Sequence, residues 1–528
     1  MSVRSTIALL LALSTLSLLV GCGSSSPKAV APPGGGFSNS NLNGTYVFST
    51  SGVDSTSGVF LTLVGDFVAD GNGGIKGGAF DFASVGTGVM SPNNAITGGS
   101  YRITVDGRGQ ATLNSSGGPV TLDFVLTSNS HGLVTEFDNS GTGSGTLDLQ
   151  PAAPAQSALG GSSYSFGFFG ASTSAVSFGT VGTFTLDAFG NVTAGFEDAN
   201  SGSSSLNLTA MPITSGTVLV GAGTAPGTAQ FVTSGAGTLN FDVYVIDSTH
   251  LKFIETDSTF TSGDAFTQAT SIPSGQLVFT MAGVDTVNFV PPAPIDVGGY
   301  LTNAGGIVTT GLEDVNDAGN PFKSTTVSGT IPALAGGRSV LTLNNFINGG
   351  LNGAPGSYSF AAYPFTSNGV TGIQLLEIDG AGMTSGAAFV QTATSLSGSQ
   401  GFGLNLSAFN SSGIEEDDIA EFVTSSNSFS GLLDVNDQGT LGFQKLLNGT
   451  SVAADSNGRG TFTTTNFVNG NYYVVDSSTY LILETDSNQV GLGVFELQGT
   501  PAASAAARSV VSALRPAVRG HAAWRRLK

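Results

Sequence analysis

Four stretches of the chain place a glutamate and an aspartate two residues apart behind an apolar run. They are Leu133-Val134-Thr135-Glu136-Phe137-Asp138, Phe253-Ile254-Glu255-Thr256-Asp257, Leu375-Leu376-Glu377-Ile378-Asp379 and Ile482-Leu483-Glu484-Thr485-Asp486. Residues two apart in a strand share a face, so each stretch presents two carboxylates side by side. Carboxylate pairs ~5–10 Å apart across a cleft hydrolyse glycosidic bonds, one as acid and the other as base or nucleophile. Two on one strand, repeated four times, fit that chemistry poorly and a repeated structural role well. The expected role is an ion pair at a barrel end, with each glutamate accepting from an arginine in a nearby turn: Glu136 with Arg108, Glu377 with Arg338 and Glu484 with Arg459. Such pairs are bidentate and geometrically specific. Glu255 has no corresponding arginine.

A second repeated pattern suggests a metal. Asp314-Val315-Asn316-Asp317-Ala318-Gly319 and Asp434-Val435-Asn436-Asp437-Gln438-Gly439 are near-identical, and Asp198-Ala199-Asn200-Ser201-Gly202 is related. Oxygen ligands at alternate positions before glycine resemble a Ca2+ loop, with Asp314, Asn316, Asp434 and Asn436 as ligands. The bidentate glutamate of an EF-hand is missing, and Asp and Asn also favour turns for local reasons. No other cofactor is expected. His131, His250 and His521 are too dispersed for a histidine metal site. There is no Gly-x-Ser-x-Gly elbow, P-loop or His-Glu-x-x-His motif, so a non-enzyme is expected.

The elements that carry these residues repeat as well. Each Glu-x-Asp stretch leads through a glycine-containing turn to a short strand ending in Gln150, Gln268, Gln391 or Gln498, 13 or 14 residues after the glutamate. The unit recurs at roughly 110–120-residue spacing, the signature of a tandem array. Each unit reads as eight short antiparallel strands in a meander: residues 42–150, 160–268, 275–391 and 398–498. Asp70-Gly71-Asn72-Gly73 and Asp106-Gly107-Arg108-Gly109 are hairpin turns. Leu122, Phe124 and Leu126 alternate with Thr121 and Asp123. No helical periodicity appears. The expected fold is all-β, four small barrels in tandem, with β-sandwiches as the alternative. A propeller fits less well, because its blades need four strands per ~40–50 residues.

The layout resembles the up-and-down barrels of the lipocalin and avidin class. The tryptophan those families carry near the first strand is replaced by Tyr46, Tyr164, Leu277 and Phe402. An eight-stranded barrel either fills with its own side chains or holds one small ligand, so a small apolar ligand is one expected partner.

Composition bounds the rest. Charged residues make up 10%, glycine 77 of 528, and apolar residues 40%, which suits a turn-rich β protein rather than disorder. Net charge is −20, and residues 37–498 hold eight basic residues against 36 acids. Nucleic-acid binding is disfavoured, since phosphate contacts need Lys and Arg.

The N-terminus is a targeting segment. Arg4 precedes an apolar stretch over 7–20, which ends Leu19-Val20-Gly21-Cys22. This is similar to the lipobox of bacterial lipoproteins at all four positions. The resemblance implies that residues 1–21 are a signal peptide. It also implies that Cys22, the only cysteine, becomes the lipidated N-terminus, carrying acyl chains such as palmitate. The expected location is the cell envelope, with Gly23 after the cysteine pointing to the outer membrane. Residues 22–41 read as a flexible tether. Residues 499–528, Ala-rich and then basic, read as a disordered tail or a patch for anionic lipid or polysaccharide. The expected function is a lipid-anchored, non-catalytic binding or structural and adhesive surface protein. A surface polysaccharide is the other expected partner. The alternatives are a glycan-active enzyme and an integral outer-membrane barrel, although the chain ends Arg525-Arg526-Leu527-Lys528 rather than in an aromatic strand.

Overall fold

The computed structural model describes residues 28–499 except 34, 153–154, 202–206, 224, 258, 286–292, 324–325, 349–353, 381, 397, 411 and 488. Cys22 and the basic tail lie outside the described residues. Among those described, helix is confined to a 3-10 turn at Asn39–Asn41 and a single turn at Gln156–Leu159. Among the described residues no helix is long and apolar enough to cross a membrane.

The strands form four closed antiparallel barrels in tandem, not sandwiches. The first runs up and down through eight strands from Asn43–Asp54 to Gly141–Gln150, and those two strands pair to close it, from Thr45 with Gln150 to Asp54 with Gly141. The second spans Ser163–Ser172 to Thr259–Thr267, and the fourth Gly401–Asn410 to Gln489–Leu497, each closed the same way. In the third, from Gly275–Asp285 to Met383–Val390, the fourth position is split. Asn320–Lys323 and Ser328–Thr330 both pair with Ile307–Asp317, so nine strands occupy eight positions.

Apolar alternation builds the interiors. Leu122, Phe124 and Leu126 point inward with Tyr46, Phe48 and Phe67. Phe166, Phe168, Phe184, Phe231, Phe241 and Phe253 fill the second barrel, with ring centroids 4.7–6.3 Å apart. The fourth retains a cavity of about 30 Å³ lined by Leu404, Phe422, Phe429 and Phe495. The tether's last residues pack on the first barrel: Phe37 enters its core and donates its N–H to the Val105 carbonyl at 3.0 Å. An apolar side chain at 37 and another at Leu42, both buried, explain why this part is not free spacer.

Many outward faces are buried too, because the barrels close into a ring. Barrel one packs on two through Val47, Phe60, Ile254 and Phe260. Two packs on three through Phe169, Val181, Tyr363 and Leu376. Three packs on four through Val278, Tyr473 and Leu483. Four returns to one through Val125, Leu133, Ile419 and Val494. Val53, Val284, Met383 and Phe409, from barrels one, three and four, form a further apolar cluster where units meet. Asp123, on the polar side of its alternating strand, is consequently buried.

Candidate functional site at the barrel junctions

The four glutamates lie at or near the end of the seventh strand of their barrels and are all buried. None is paired with an arginine among the described residues. Glu377 Oε2 accepts from Asn348 Nδ2 at 2.8 Å, Thr384 N at 3.0 Å and Thr384 Oγ1 at 3.1 Å. Glu255 accepts from Thr261 Oγ1 at 2.7 Å and Thr259 N at 3.0 Å. Burial, reinforced by the aspartate two residues on, pushes Glu136 and Glu377 well above the usual carboxylate range. Burial likewise pushes Glu255 up to about 8 and Glu484 to about 10. Glu255 and Glu484 are therefore mostly protonated at pH 7. The aspartates of the same motif act on the backbone. Asp138, Asp257, Asp379 and Asp486 each accept a backbone N–H, from Thr121, Asn240, Ser359 and Asn469 at 2.7–3.4 Å.

The arginines reach across junctions instead. Arg338 of unit three grips Asp198 of unit two, Nε to Oδ2 and Nη2 to Oδ1, both at 2.7 Å. Arg459 of unit four grips Asp314 of unit three at 2.6 and 2.9 Å. Arg108 of unit one donates to Asp434 of unit four at 2.6 Å and to Asp106 at 3.0 Å. Tyr363 and Tyr473 hydroxyls add bonds of 2.5 Å to Asp198 and Asp314. The expected Glu136–Arg108, Glu377–Arg338 and Glu484–Arg459 pairs are thus replaced by Arg–Asp pairs between units. The planar guanidinium donates to both oxygens of one carboxyl group, and it is the inter-unit aspartates rather than the glutamates that lie opposite the arginines.

The residues of the calcium reading are engaged in other contacts. Asp314 and Asp434 already hold guanidinium groups. Asn316 donates Nδ2 to the Glu484 carbonyl at 3.1 Å and the Gln489 carbonyl at 2.8 Å. Asn436 does so to the Glu136 and Gly141 carbonyls at 2.8 Å each. Asn200 repeats this on Glu377 and Gly382. Among the described residues, no group of three or more His, Cys, Asp or Glu side chains is arranged for a metal ion.

The glutamine that ends each unit also crosses to the next. Gln150 Nε2 donates to the Val245 carbonyl at 2.6 Å, Gln268 to Gly337 at 3.1 Å, and Gln391 to Asn457 at 3.0 Å. Gln498 closes the cycle onto Asp106 at 2.7 Å and Leu126 at 3.1 Å. Glycine before each turn arginine makes room: at Gly107, Gly337 and Gly458, φ is +83 to +89° and a Cβ would lie 2.1–2.6 Å from the incoming glutamine Nε2. From the sequence these glutamines stood out only as unit markers. The junction between four and one is further tied by His131, which lies 2.7 Å from Asp148 and 3.0 Å from Glu496 of unit four. Burial opposes its protonation, but the Glu496 and Asp148 carboxylates outweigh this and hold the imidazolium at about 10.

Beside that junction lies a groove of about 390 Å³. Tyr101, Arg102, Gln110, Asp123, Phe443 and Gln444 line it, over a floor of Arg108 and Asp434. Phe443 is 57% exposed although its ring meets Phe137 edge-on at 5.0 Å. Gln110 Nε2 donates to Asp123 Oδ1 at 2.7 Å. Burial, then the Asp434 charge, raises Asp123 to about 8, so it can donate as well as accept. Asp434 is committed to Arg108, which leaves Asp123 as the carboxyl available to a ligand. An aromatic face beside amide, guanidinium and carboxyl groups suits reversible recognition.

No family model matches the chain, and no curated protein matches it. A solved structure described as "The Structure of Intact Ap-TbpB (N and C lobes)" is similar over 70% of this chain and 83% of that one, with 11% sequence identity and a TM-score of 0.18. A superposition of that quality carries no statement about function.

Proposed function

We propose that this is a lipid-anchored protein of the cell envelope, held at the outer membrane through Cys22, whose ring of barrels is a non-catalytic binding module. One observation carries the reading: among the described residues the barrel interiors are packed with apolar side chains, while the groove between units one and four is open and polar. The cavity in barrel four, at about 30 Å³, is small beside the ~150 Å³ that admits benzene, which argues against an apolar ligand inside it. The groove's 390 Å³ falls within the range of small-molecule sites. Its partner is a segment of surface polysaccharide, whose C–H faces would stack on Phe443 and whose hydroxyls would exchange hydrogen bonds with Asp123, Gln110, Gln444 and Arg102.

Two alternatives lose support. The Glu-x-Asp glutamates are buried rather than facing a cleft, and their aspartates accept backbone N–H groups, which disfavours a glycosidase. Apolar interiors reverse the apolar-out, polar-in pattern of membrane-spanning barrels. A glycan array probed with the chain from residue 22 carrying Cys22→Ser tests the reading. Binding should weaken at least tenfold in Asp123→Asn and in Phe443→Ala. Retention of a glycan by both variants would assign it elsewhere, and no binding to any glycan would reject the polysaccharide.

A further inference from the structure

Three junctions share one clamp: an aspartate on one barrel, held by an arginine from the neighbour, with a tyrosine beside it at two of the three. The junction between units one and two has the aspartate and the tyrosine but no arginine. Asp81 occupies the place of Asp198 and Asp434. In each case a fourth-strand residue at positive φ (Asn93 at 54°, Ala210 at 52°, Gln444 at 49°) donates its N–H to one carboxylate oxygen. Tyr244 occupies the place of Tyr363 and Tyr473. Arg459 sits opposite Tyr473 in the strand register, and Arg338 precedes Ser339, the partner of Ala362. By the same register the residue opposite Tyr244 is Pro226, which precedes Gly227, the partner of Val243.

The consequence is a clamp whose sequence supplies no cation. Asp81 is 2% exposed, and its Oδ2 has no hydrogen-bond partner of acceptable geometry. Tyr244, beside it, is 3% exposed with its hydroxyl facing the same carboxylate, and Asp242 approaches Asp81 as well. No ion pair joins Asp81, Asp66 or Asp242 to a basic side chain among the described residues. On the Tyr244 side of this junction lies a cavity of about 20 Å³, bounded by Asp66, Tyr244, Gln150 and the loop of Gly221, Gly223, Pro226 and Gly227. Gly223 is exposed with φ of +67°, and a Cβ there would meet nothing within 4 Å, so the lip of the cavity has room to yield. Burial raises both Asp66 and Asp81 to about 7, as follows when carboxylates are withdrawn from water without a counter-charge.

We propose that this junction is a binding slot for a guanidinium group supplied from outside the chain, seated between Asp81 and Tyr244 as Arg338 is seated between Asp198 and Tyr363. A guanidinium matches because its planar fork satisfies a carboxylate at two oxygens, and because the other three junctions of this molecule use that group. The slot would accept an arginine side chain of a partner polypeptide or a free guanidino compound.

Calorimetry at pH 8, on the chain from residue 22 with Cys22→Ser, decides the matter. The probes are the peptide Gly-Arg-Gly, its citrulline counterpart and methylguanidinium. Saturable 1:1 binding of the arginine peptide, at least tenfold weaker for the citrulline peptide, is expected. Asp81→Asn should weaken it at least tenfold. Pro226→Arg, which supplies the missing group internally, should abolish it and raise the melting temperature. Methylguanidinium binding as well as the peptide identifies a free small molecule as sufficient, and binding of the peptide alone identifies a polypeptide. Equal binding of the citrulline peptide, undiminished binding in Pro226→Arg, or no binding of any probe overturns the proposal.

Discussion

Gln498 donates from Nε2 to the carbonyl of Asp106 across 2.7 Å and 392 positions of sequence. That bond joins the last barrel to the first, and Gln150, Gln268 and Gln391 make its counterparts at the other three junctions. The repeat therefore places at the end of every unit the group that fastens it to the next.

Removing that group should loosen the ring. Gln498→Ala leaves two buried carbonyls without their donor, a loss of about 1–3 kcal/mol. Chemical denaturation should show the loss, and hydrogen exchange should place it at the junction of units four and one. Gly107→Ala, which would push a methyl against the same amide, should act in the same direction.

The Arg–Asp clamps should matter more. Arg338→Met strands the buried Asp198 carboxylate beside Tyr363, and breaking a buried pair in this way costs about 3–5 kcal/mol. Asp198→Asn in the same chain should recover part of that, measured as a double-mutant cycle. Millimolar Ca2+ should leave the melting temperature unchanged, since the carboxylates at Asp314 and Asp434 are already occupied.

Stability should fall from pH 5 towards pH 10. Glu255 and Asp123, raised to about 8, and Glu484, raised to about 10, bind protons in the folded chain that the unfolded chain releases above about pH 4–5. Their contribution is present below the unfolded value and is lost as pH rises through the folded one. His131, held at about 10, acts in the same sense: its contribution is complete below its unfolded value near 6.5 and is lost on approaching 10. Melting temperatures at pH 5, 7 and 9 should decline in order. Glu484→Gln should flatten the decline, and a profile rising with pH would contradict these assignments.

The phenylalanine core of barrel two should be sensitive to truncation. Phe253 packs within 5.0–6.3 Å of Phe168, Phe184, Phe231 and Phe241. Phe253→Ala should cost about 3–5 kcal/mol by urea denaturation.

The barrels were legible in the chain itself because strand pairing is local. Hairpin signals such as Asp70-Gly71-Asn72-Gly73 and alternation such as Leu122-Asp123-Phe124 depend on near neighbours. The junctions were not, because Arg108 and Asp434 are 326 residues apart and nothing local states which unit faces which. Assigning Arg108 to Glu136 assumed that charged groups pair within a unit. Reading Asp314-Val315-Asn316 as a calcium loop assumed that its oxygens face water. One signal was available. The Asp-x-Asn pattern is present in units two, three and four, with Ala83 in place of the asparagine in unit one. The turn arginine is present in units three, four and one and missing from unit two. The two absences are offset by one unit, as expected if each pattern serves the arginine of the next unit around a closed cycle.

Small-angle X-ray scattering of the chain from residue 22 with Cys22→Ser tests the ring most directly. A closed ring predicts a radius of gyration near the compact-globule value for a chain of this length, about 25 Å, whereas four barrels strung end to end would exceed roughly 35 Å. A value close to 25 Å, unchanged by salt, is the predicted result. A value above 35 Å would show that unit four does not return to unit one, and the account of the junctions would fail with it.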